Sequence, residues 1–328
     1  MGRRVIGIDA GQVGGGAAGR NAGFLRAGTA EFHHNAIKTI GHRRALRIYE
    51  MTLEELHRIS EQTKGAVRFV GSLRLATSKE EHIDCAQQRE AMRDDGLPVK
   101  NYNGPLGRGI FIPGDASFNP LARCRALAYR VMRDGALLFE NTRALWFMGD
   151  EVSTPRGRIK CQRAIVTVDG RLETLVPELA GRVRTARLQM LATAPTREVE
   201  LVCPVSARYG FDFWQQLPDG SIAVGGGRDR AMDAEWTASS EPTAFVQDYL
   251  DGILRDTLKV RAPITHRWAA TAAYTKTGLP VLSEVRPGLW VAGGYNGTGN
   301  LLGAICARAA ARAACGEPTE LTTLLAQP

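Results

Sequence analysis

Seven of the eighteen residues from Gly11 to Gly28 are glycine, and they follow a short apolar run, Val5-Ile6-Gly7-Ile8, that ends on Asp9. Glycine at this density disfavours a helix, so the segment is predicted to be a loop entered from a strand. Within it, Gly14-x-Gly16-x-x-Gly19 is a formal match to the dinucleotide fingerprint. That motif works when its first glycine directly follows a strand and its last opens a helix, so that pyrophosphate meets a helix N-terminus. Five residues separate Ile8 from Gly14, and further glycines follow, so the match does not meet that requirement. Asp9 suits a different role. An acid ending the second strand of such a unit, about 20 residues after the fingerprint, hydrogen-bonds ribose hydroxyls. On that reading the fingerprint would lie before Met1; the plainer reading of Asp9 is a turn residue.

Downstream, Leu46, Tyr49, Leu53, Leu56 and Ile59 recur at three- and four-residue steps and predict one amphipathic helix over 43–64. A strand is expected over 69–76. Ser78-Lys-Glu-Glu81 is a capping box for a helix to about Asp95, stopped by Gly96 and Pro98. A short strand at 109–112, a helix capped by Asn119-Pro120 and closed by Gly135, and a strand at 136–140 read as a βαβ unit. Strands follow around Val152 and at 164–168. From Arg182 to Trp236, short runs of β-branched and aromatic residues are separated by Pro218-Asp-Gly220 and Gly225-Gly-Gly227, which predicts an antiparallel sheet. A helix over 241–258 precedes a last strand at 289–292, a glycine-rich turn and a helix from about Asn300 to Cys315.

Composition narrows the class. The chain has 328 residues, 44% hydrophobic and 23% charged, enough for one large or two ordinary domains. Its apolar runs are too short to span a bilayer, and the start lacks a signal-peptide core, so a cytoplasmic location is expected. The six cysteines are scattered without CxxC spacing or paired histidines, so neither a disulfide framework nor a metal site is predicted. Net charge is +8, but the arginines are dispersed among acids rather than clustered with aromatics, which argues against nucleic-acid binding. Nothing points to a particular oligomeric state.

The last turn, Gly293-Gly-Tyr-Asn-Gly-Thr-Gly299, sits between a strand and a helix. Its bare amides offer a site for an anionic or electron-rich group, with a structural tight turn as the alternative. Taken with Ile8-Asp-Ala-Gly-Gln-Val-Gly-Gly-Gly-Ala-Ala-Gly-Arg-Asn-Ala-Gly-Phe24, Pro113-Gly-Asp115, the Pro218 to Gly226 hairpin, His266-Arg-Trp268 and Thr275 to Pro280, it gives an ordered series of motifs over nearly the whole chain. The series resembles the D-amino-acid oxidase (DAO) family of FAD-dependent oxidoreductases. The resemblance implies FAD as cofactor. Asp9 would hold the adenosine ribose, and Gly16, Ala18, Arg20, Asn21, Ala22 and Gly23 would line the flavin. Ala144 would sit by the adenine, and Gly294, Asn296, Gly297, Thr298 and Gly299 would contact the isoalloxazine. Tyr209, Phe211, Trp214 and Trp268 would wall the substrate pocket, with core packing as the alternative for these aromatics. No protein side chain is assigned as catalytic, and His33, His34 and His266 read as structural or surface residues.

The resemblance further implies an α/β fold. An incomplete Rossmann-like FAD-binding domain (1–66, 116–181 and 275–328, first βα unit missing) would be interleaved with an antiparallel-sheet α+β substrate domain (67–115 and 182–274). The expected activity is oxidation of the C–N bond of a small amine or amino acid by hydride transfer to flavin N5. Family members that oxidise amino acids often carry a carboxylate-gripping arginine where this chain has Ala272. Small α-amino acids are therefore expected to be poorer substrates than amines, unless Arg267 or Arg208 serves instead. The rival readings are a cofactor-free truncated remnant (a binding or scaffold protein) or mis-started gene product without activity, and an NAD-dependent dehydrogenase, the latter disfavoured by the missing fingerprint and the flavin-like loop at Arg20.

Overall fold

Local rules account for the long helices of the computed structural model, which describes residues 2–63 and 65–326. The amphipathic stretch forms the helix His42–Gln62, burying Ala45, Ile48, Tyr49, Leu56 and Ile59. Ser78 caps the helix Lys79–Asp94 by accepting from the Glu81 amide at 3.2 Å. Asn119 caps Pro120–Arg133 by accepting from the Ala122 amide at 3.0 Å. Each cap supplies an acceptor to one of the amides that a helix start leaves unpaired.

The chain divides into two units, each assembled from separate segments. The first comprises residues 1–21, 119–185 and 271–328. Its strand Ile6–Ile8 pairs in parallel with Leu137–Phe139. A second sheet joins Ala164–Val166 in parallel to Leu289–Gly293, which pairs antiparallel with Val281–Arg286. The parallel pairing of a dinucleotide-binding sheet is thus present in two pieces, with no backbone pairing between them among the described residues. Apolar side chains on these strands are open to solvent, among them Ile6, Phe139 and Ile165. A small antiparallel meander, Trp146–Met148, Glu151–Thr154 and Gly157–Lys160, completes the strands of this unit.

The second unit comprises residues 22–118 and 186–270. It is built on an eight-stranded sheet in the order Ile264–Thr275, Val183–Thr193, Ile222–Gly226, Asp212–Gln216, Val205–Ala207, Ser72–Ala76, Gly107–Ile112, Lys100–Gly104. Alternation sorts its side chains by face. Leu73, Val205, Trp214 and Val224 join Val246 and Leu250 of the helix Ala244–Gly252 in one core. Ile110 and Ile112 pack with Tyr49, Cys85 and Met92 in another.

Several expectations change. The strand Gly107–Ile112 belongs to the eight-stranded sheet, so it does not form a βαβ unit with Pro120–Arg133 and Leu137–Phe139; Leu137–Phe139 instead pairs with Ile6–Ile8. Residues 22–66, expected in the first domain, cluster with the second unit in so far as they are described, because Ala27, Phe32 and Tyr49 bury themselves against Cys85, Met92 and Ile110. The helix expected over 241–258 starts at Ala244, past Pro242, and after Gly252 winds as a π-helical turn over Ile253–Thr257. The helix His33–Ile40 and the strand Ile264–Thr275 carry no clear periodic signal and emerge only here.

Candidate functional site

In the first unit, Asp9 stands exposed just past the strand Ile6–Ile8, where its Oδ1 accepts from the Gly11 amide at 2.7 Å. Its backbone is fixed by the neighbouring strand end: the Asp9 amide donates to Phe139 O, and the Thr142 amide donates to Asp9 O. The Val13 amide donates to Glu140 Oε1 at 2.6 Å, so the start of the loop is tied to the same edge. Ala144, five residues beyond Phe139, lies half-buried in the connection that follows.

The glycine fingerprint serves packing. A side chain on Gly14 would run into Leu121 and Cys124 of the helix Pro120–Arg133, and one on Gly19 into the Gly14 carbonyl. The loop closes into a single helical turn, Ala17–Arg20. Gly16, in contrast, faces open space.

The second glycine turn is held from within. Asp169 Oδ1 accepts from the amides of Gly294 (2.8 Å) and Tyr295 (3.2 Å), and its Oδ2 from that of Ala273 (3.1 Å). Burial pushes the Asp169 carboxyl upward, against these three amides, which favour its ionised form. Asn296 accepts from the Thr275 amide through Oδ1 and donates to Gly294 O through Nδ2, both at 2.9 Å. The Thr298 hydroxyl donates to Tyr295 O at 2.7 Å. The side chains of Asn296 and Thr298 therefore shape the turn. Gly297 alone combines a left-handed φ of 85° with space for a group to approach, Tyr274 Oη being the nearest atom to an added Cβ at 3.7 Å.

A reciprocal pair of amides joins the two glycine segments. Asn21 Nδ2 donates to Asn300 Oδ1 at 3.1 Å, and Asn300 Nδ2 returns the bond to Asn21 Oδ1 at 3.0 Å. Asn21 also donates to the carbonyls of Ala17 and Ala18, closing the helical turn that carries Arg20. Asp169 and Asn300 were not among the residues singled out from the sequence. The signal for Asp169 was its place after an apolar strand and before Gly170; Asn300 had none beyond closing the glycine-rich run.

In the second unit, Gln215 Nε2 donates to Ala22 O, and the Phe118 amide donates to Gly23 O at 3.0 Å, which anchors the segment continuing from Asn21. Trp214, expected as a pocket wall, is 4% exposed within the Leu73–Val224 core. The period of two puts Phe213 and Gln215 on the opposite face, and Phe213 packs edge-on against Phe24 with ring centroids 6.1 Å apart. Tyr209 is half-exposed, donates to Asp84 Oδ2 at 2.8 Å and lies against the Phe32 ring. Trp268 is half-buried on the strand Ile264–Thr275, and Phe211 lies under the Arg228 guanidinium. The alternative cations are already engaged: Arg208 pairs with Asp212 and Asp229, and Arg267 with Asp251. His33 and His34 are buried against Asp95 and Asp84, and His266 is exposed.

The first unit thus carries an exposed acid at a parallel strand end, a glycine turn open at Gly297 and an amide pair joining that turn to the Arg20 loop. The sequence pattern of the FAD-dependent oxidoreductase family DAO matches residues 1–313. A probable oxidoreductase, OrdL, from Rhizobium meliloti is 27% identical over 97% of this chain and 78% of its own length. Among solved structures, glycine oxidase from Geobacillus kaustophilus superposes with a TM-score of 0.77 at 20% identity, covering 97% of this chain and 89% of that one. L-proline dehydrogenase from P. horikoshii gives 0.73 at 18% identity, covering 97% and 94%. The chain belongs to the DAO family of FAD-dependent oxidoreductases; it is an enzyme of that class, with FAD as its cofactor. No helix among the described residues is long and apolar enough to cross a membrane.

Proposed function

We propose that the protein oxidises the C–N bond of a small amine or amino acid, the substrate giving hydride to the flavin. The reading rests on the family match over residues 1–313; the reciprocal Asn21–Asn300 pair, which joins the Arg20 loop to the open glycine turn, supports where the flavin would lie. FAD supplies the two-electron acceptor. The residues present fit that cofactor at its two ends. Asp9 offers a carboxylate for ribose hydroxyls, while Gly16 and Gly297 leave room that a side chain would fill. Gly14 and Gly19 are consumed by packing and are not assigned to the pyrophosphate. We assign the flavin contacts to Gly16, Ala18, Arg20, Asn21 and Gly294–Gly299, continuing into Ala22 and Gly23, and keep Ala144 for the adenine. Asn296 and Thr298 contribute through backbone groups, their side chains being spent on the turn. Tyr209 and Trp268 remain substrate contacts, and Phe213 replaces Trp214 among them.

Glycine oxidase and L-proline dehydrogenase, whose fold this chain shares, take amino acids by name. Ala272 stands buried where a carboxylate-binding arginine was expected, and Arg208 and Arg267 are ion-paired. A buried carboxylate without a cation is costly, so amines and substituted amines are the preferred substrates over glycine or D-alanine. Anaerobic mixing of the flavin-loaded protein with panels of both classes tests this. Faster bleaching of the flavin absorbance by amines is expected, and faster bleaching by glycine or D-alanine would overturn the preference. No bleaching by either class would overturn C–N oxidation itself.

A further inference from the structure

One face of the strand Asp212–Gln216 carries a buried amide that the redox reading leaves without a task. Gln215 stands in mid-sheet, its strand paired on one side with Val205–Ala207 and on the other with Ile222–Gly226, and the residue is only 2% exposed. It shares its face with Phe213, and the two side chains meet one segment at two points: Phe213 packs against Phe24, and Gln215 Nε2 donates to Ala22 O. Gln215 Oε1 is buried as well, and it has no hydrogen-bond partner among the described residues. Turning the amide over would set Oε1 against the Ala22 carbonyl, two acceptors face to face, so the bond to Ala22 fixes which end is left unpaired.

A buried acceptor without a donor is destabilising, and an apolar side chain of the same length would avoid that loss. The amide is therefore explained by what its Nε2 does. A planar trans peptide moves as one body, so holding the Ala22 carbonyl holds the whole Ala22–Gly23 peptide and its dipole of about 3.5 D. The residue beyond is held too. The Phe118 amide donates to Gly23 O at 3.0 Å, and at the left-handed φ of 73° a side chain on Gly23 would run into Phe118 O. The same added Cβ would stand 3.2 Å from Gln215 Nε2. Ala22 and Gly23 directly follow Arg20-Asn21 in the chain, within the run assigned above to the flavin.

We propose that Gln215 is a positioning residue for the flavin, acting through the Ala22–Gly23 peptide whose orientation it sets. The proposal rests on the assignment of Ala22 and Gly23 to the flavin, and its test is read on the bound cofactor rather than on turnover. Gln215→Met keeps the length of the side chain and removes the donor; it also removes the unpaired Oε1, so the fold should hold. On dilution of the flavin-loaded protein, flavin release followed by fluorescence is expected to be about tenfold faster in this variant, the scale of one hydrogen bond to a buried carbonyl. The visible circular dichroism of the bound flavin should change with it, whereas the exposed Lys79→Ala should match the parent in both. If Gln215→Met fails to fold, Gln215→Asn keeps the amide but stops one methylene short of Ala22 O and should show the same two changes. Parent-like release and dichroism in the Gln215 variant that folds, even with a lowered Tm, overturn the proposal; loss of flavin from Gly297→Val in the same series would then leave the flavin assignment standing. Flavin unaffected by either substitution overturns the proposal and the flavin assignment together.

Discussion

At the scale of single residues, the proposed flavin site turns on a few atoms whose neighbours are far away in sequence. Gly297 is the clearest case, because its left-handed φ of 85° and the space beyond its Cα are separate demands. Gly297→Val violates both, and Gly297→Asn, a residue that tolerates the left-handed region, violates chiefly the second. Flavin-to-protein ratios in purified protein are expected to fall in both variants and to stay at the parent value in the exposed Lys79→Ala. Equal flavin content in all three would remove Gly297 from the cofactor site. The Asn21–Asn300 pair makes a second demand. Asn21→Ala loses the bonds to Ala17 and Ala18 as well as the pair, each lost bond being worth about 1 kcal/mol. In a denaturant double-mutant cycle the two changes should be sub-additive by roughly 1 kcal/mol. Strict additivity would mean that the amides do not hold the two segments together.

At the scale of elements, the helices read from the sequence are those with local punctuation. The capping box at Ser78 and the Asn119-Pro120 start lie within four residues of the turn they stabilise, and both are found where expected. The helix His33–Ile40 is different. It depends on partners from the helix Lys79–Asp94 and the residue beyond it: His33 Nε2 lies 2.7 Å from Asp95 Oδ2, and His34 Nε2 lies 3.1 Å from Asp84 Oδ1. Burial holds the His34 imidazole below its ordinary value, although Asp84 acts in the opposite sense. A histidine whose folded value is depressed stabilises the fold fully above its unfolded value of about 6.5. That contribution is lost as pH falls through the folded value, because the unfolded chain takes up the proton more readily. Tm is therefore expected to drop as pH is lowered through and below about 6.5, and His34→Gln should flatten that part of the profile. A profile unchanged by the substitution would show that His34 does not couple protonation to folding.

At the scale of the whole molecule, the chain leaves and re-enters each unit, so neither unit is a continuous stretch of sequence. The long strands Val183–Thr193 and Ile264–Thr275 run across the last two unit boundaries. Just past the first of these, Arg187 makes a bidentate pair with Glu235, Nη2 to Oε1 at 2.7 Å and Nε to Oε2 at 2.9 Å, with both side chains almost fully buried. Arg187→Met leaves Glu235 buried without its cation and is expected to cost about 3–5 kcal/mol in denaturant unfolding. The further change Glu235→Met should recover most of that loss, since the penalty comes from the unpaired charge rather than from the missing pair. Equal stability of the single and double variants would contradict this account.

What the sequence determined by itself were features written in adjacent residues: the apolar run ending on Asp9, the capped helices, the glycine turn before Asn300 and the ordered motifs of the family. These depend on φ preferences, caps and periodicity, which act over a few residues. The tertiary structure decided which segments share a sheet, and so moved Gly107–Ile112 out of a βαβ unit and residues 22–63 into the second unit. It also decided the face that each side chain occupies. Trp214 and Phe213 are neighbours with equal claims as pocket aromatics, but the pleat sends the first into the core and the second to the opposite face. Asp169 and Asn300 remained hidden for the same reason. Their roles exist only once chain segments tens to hundreds of residues apart are brought within hydrogen-bonding range, and no local pattern encodes that distance.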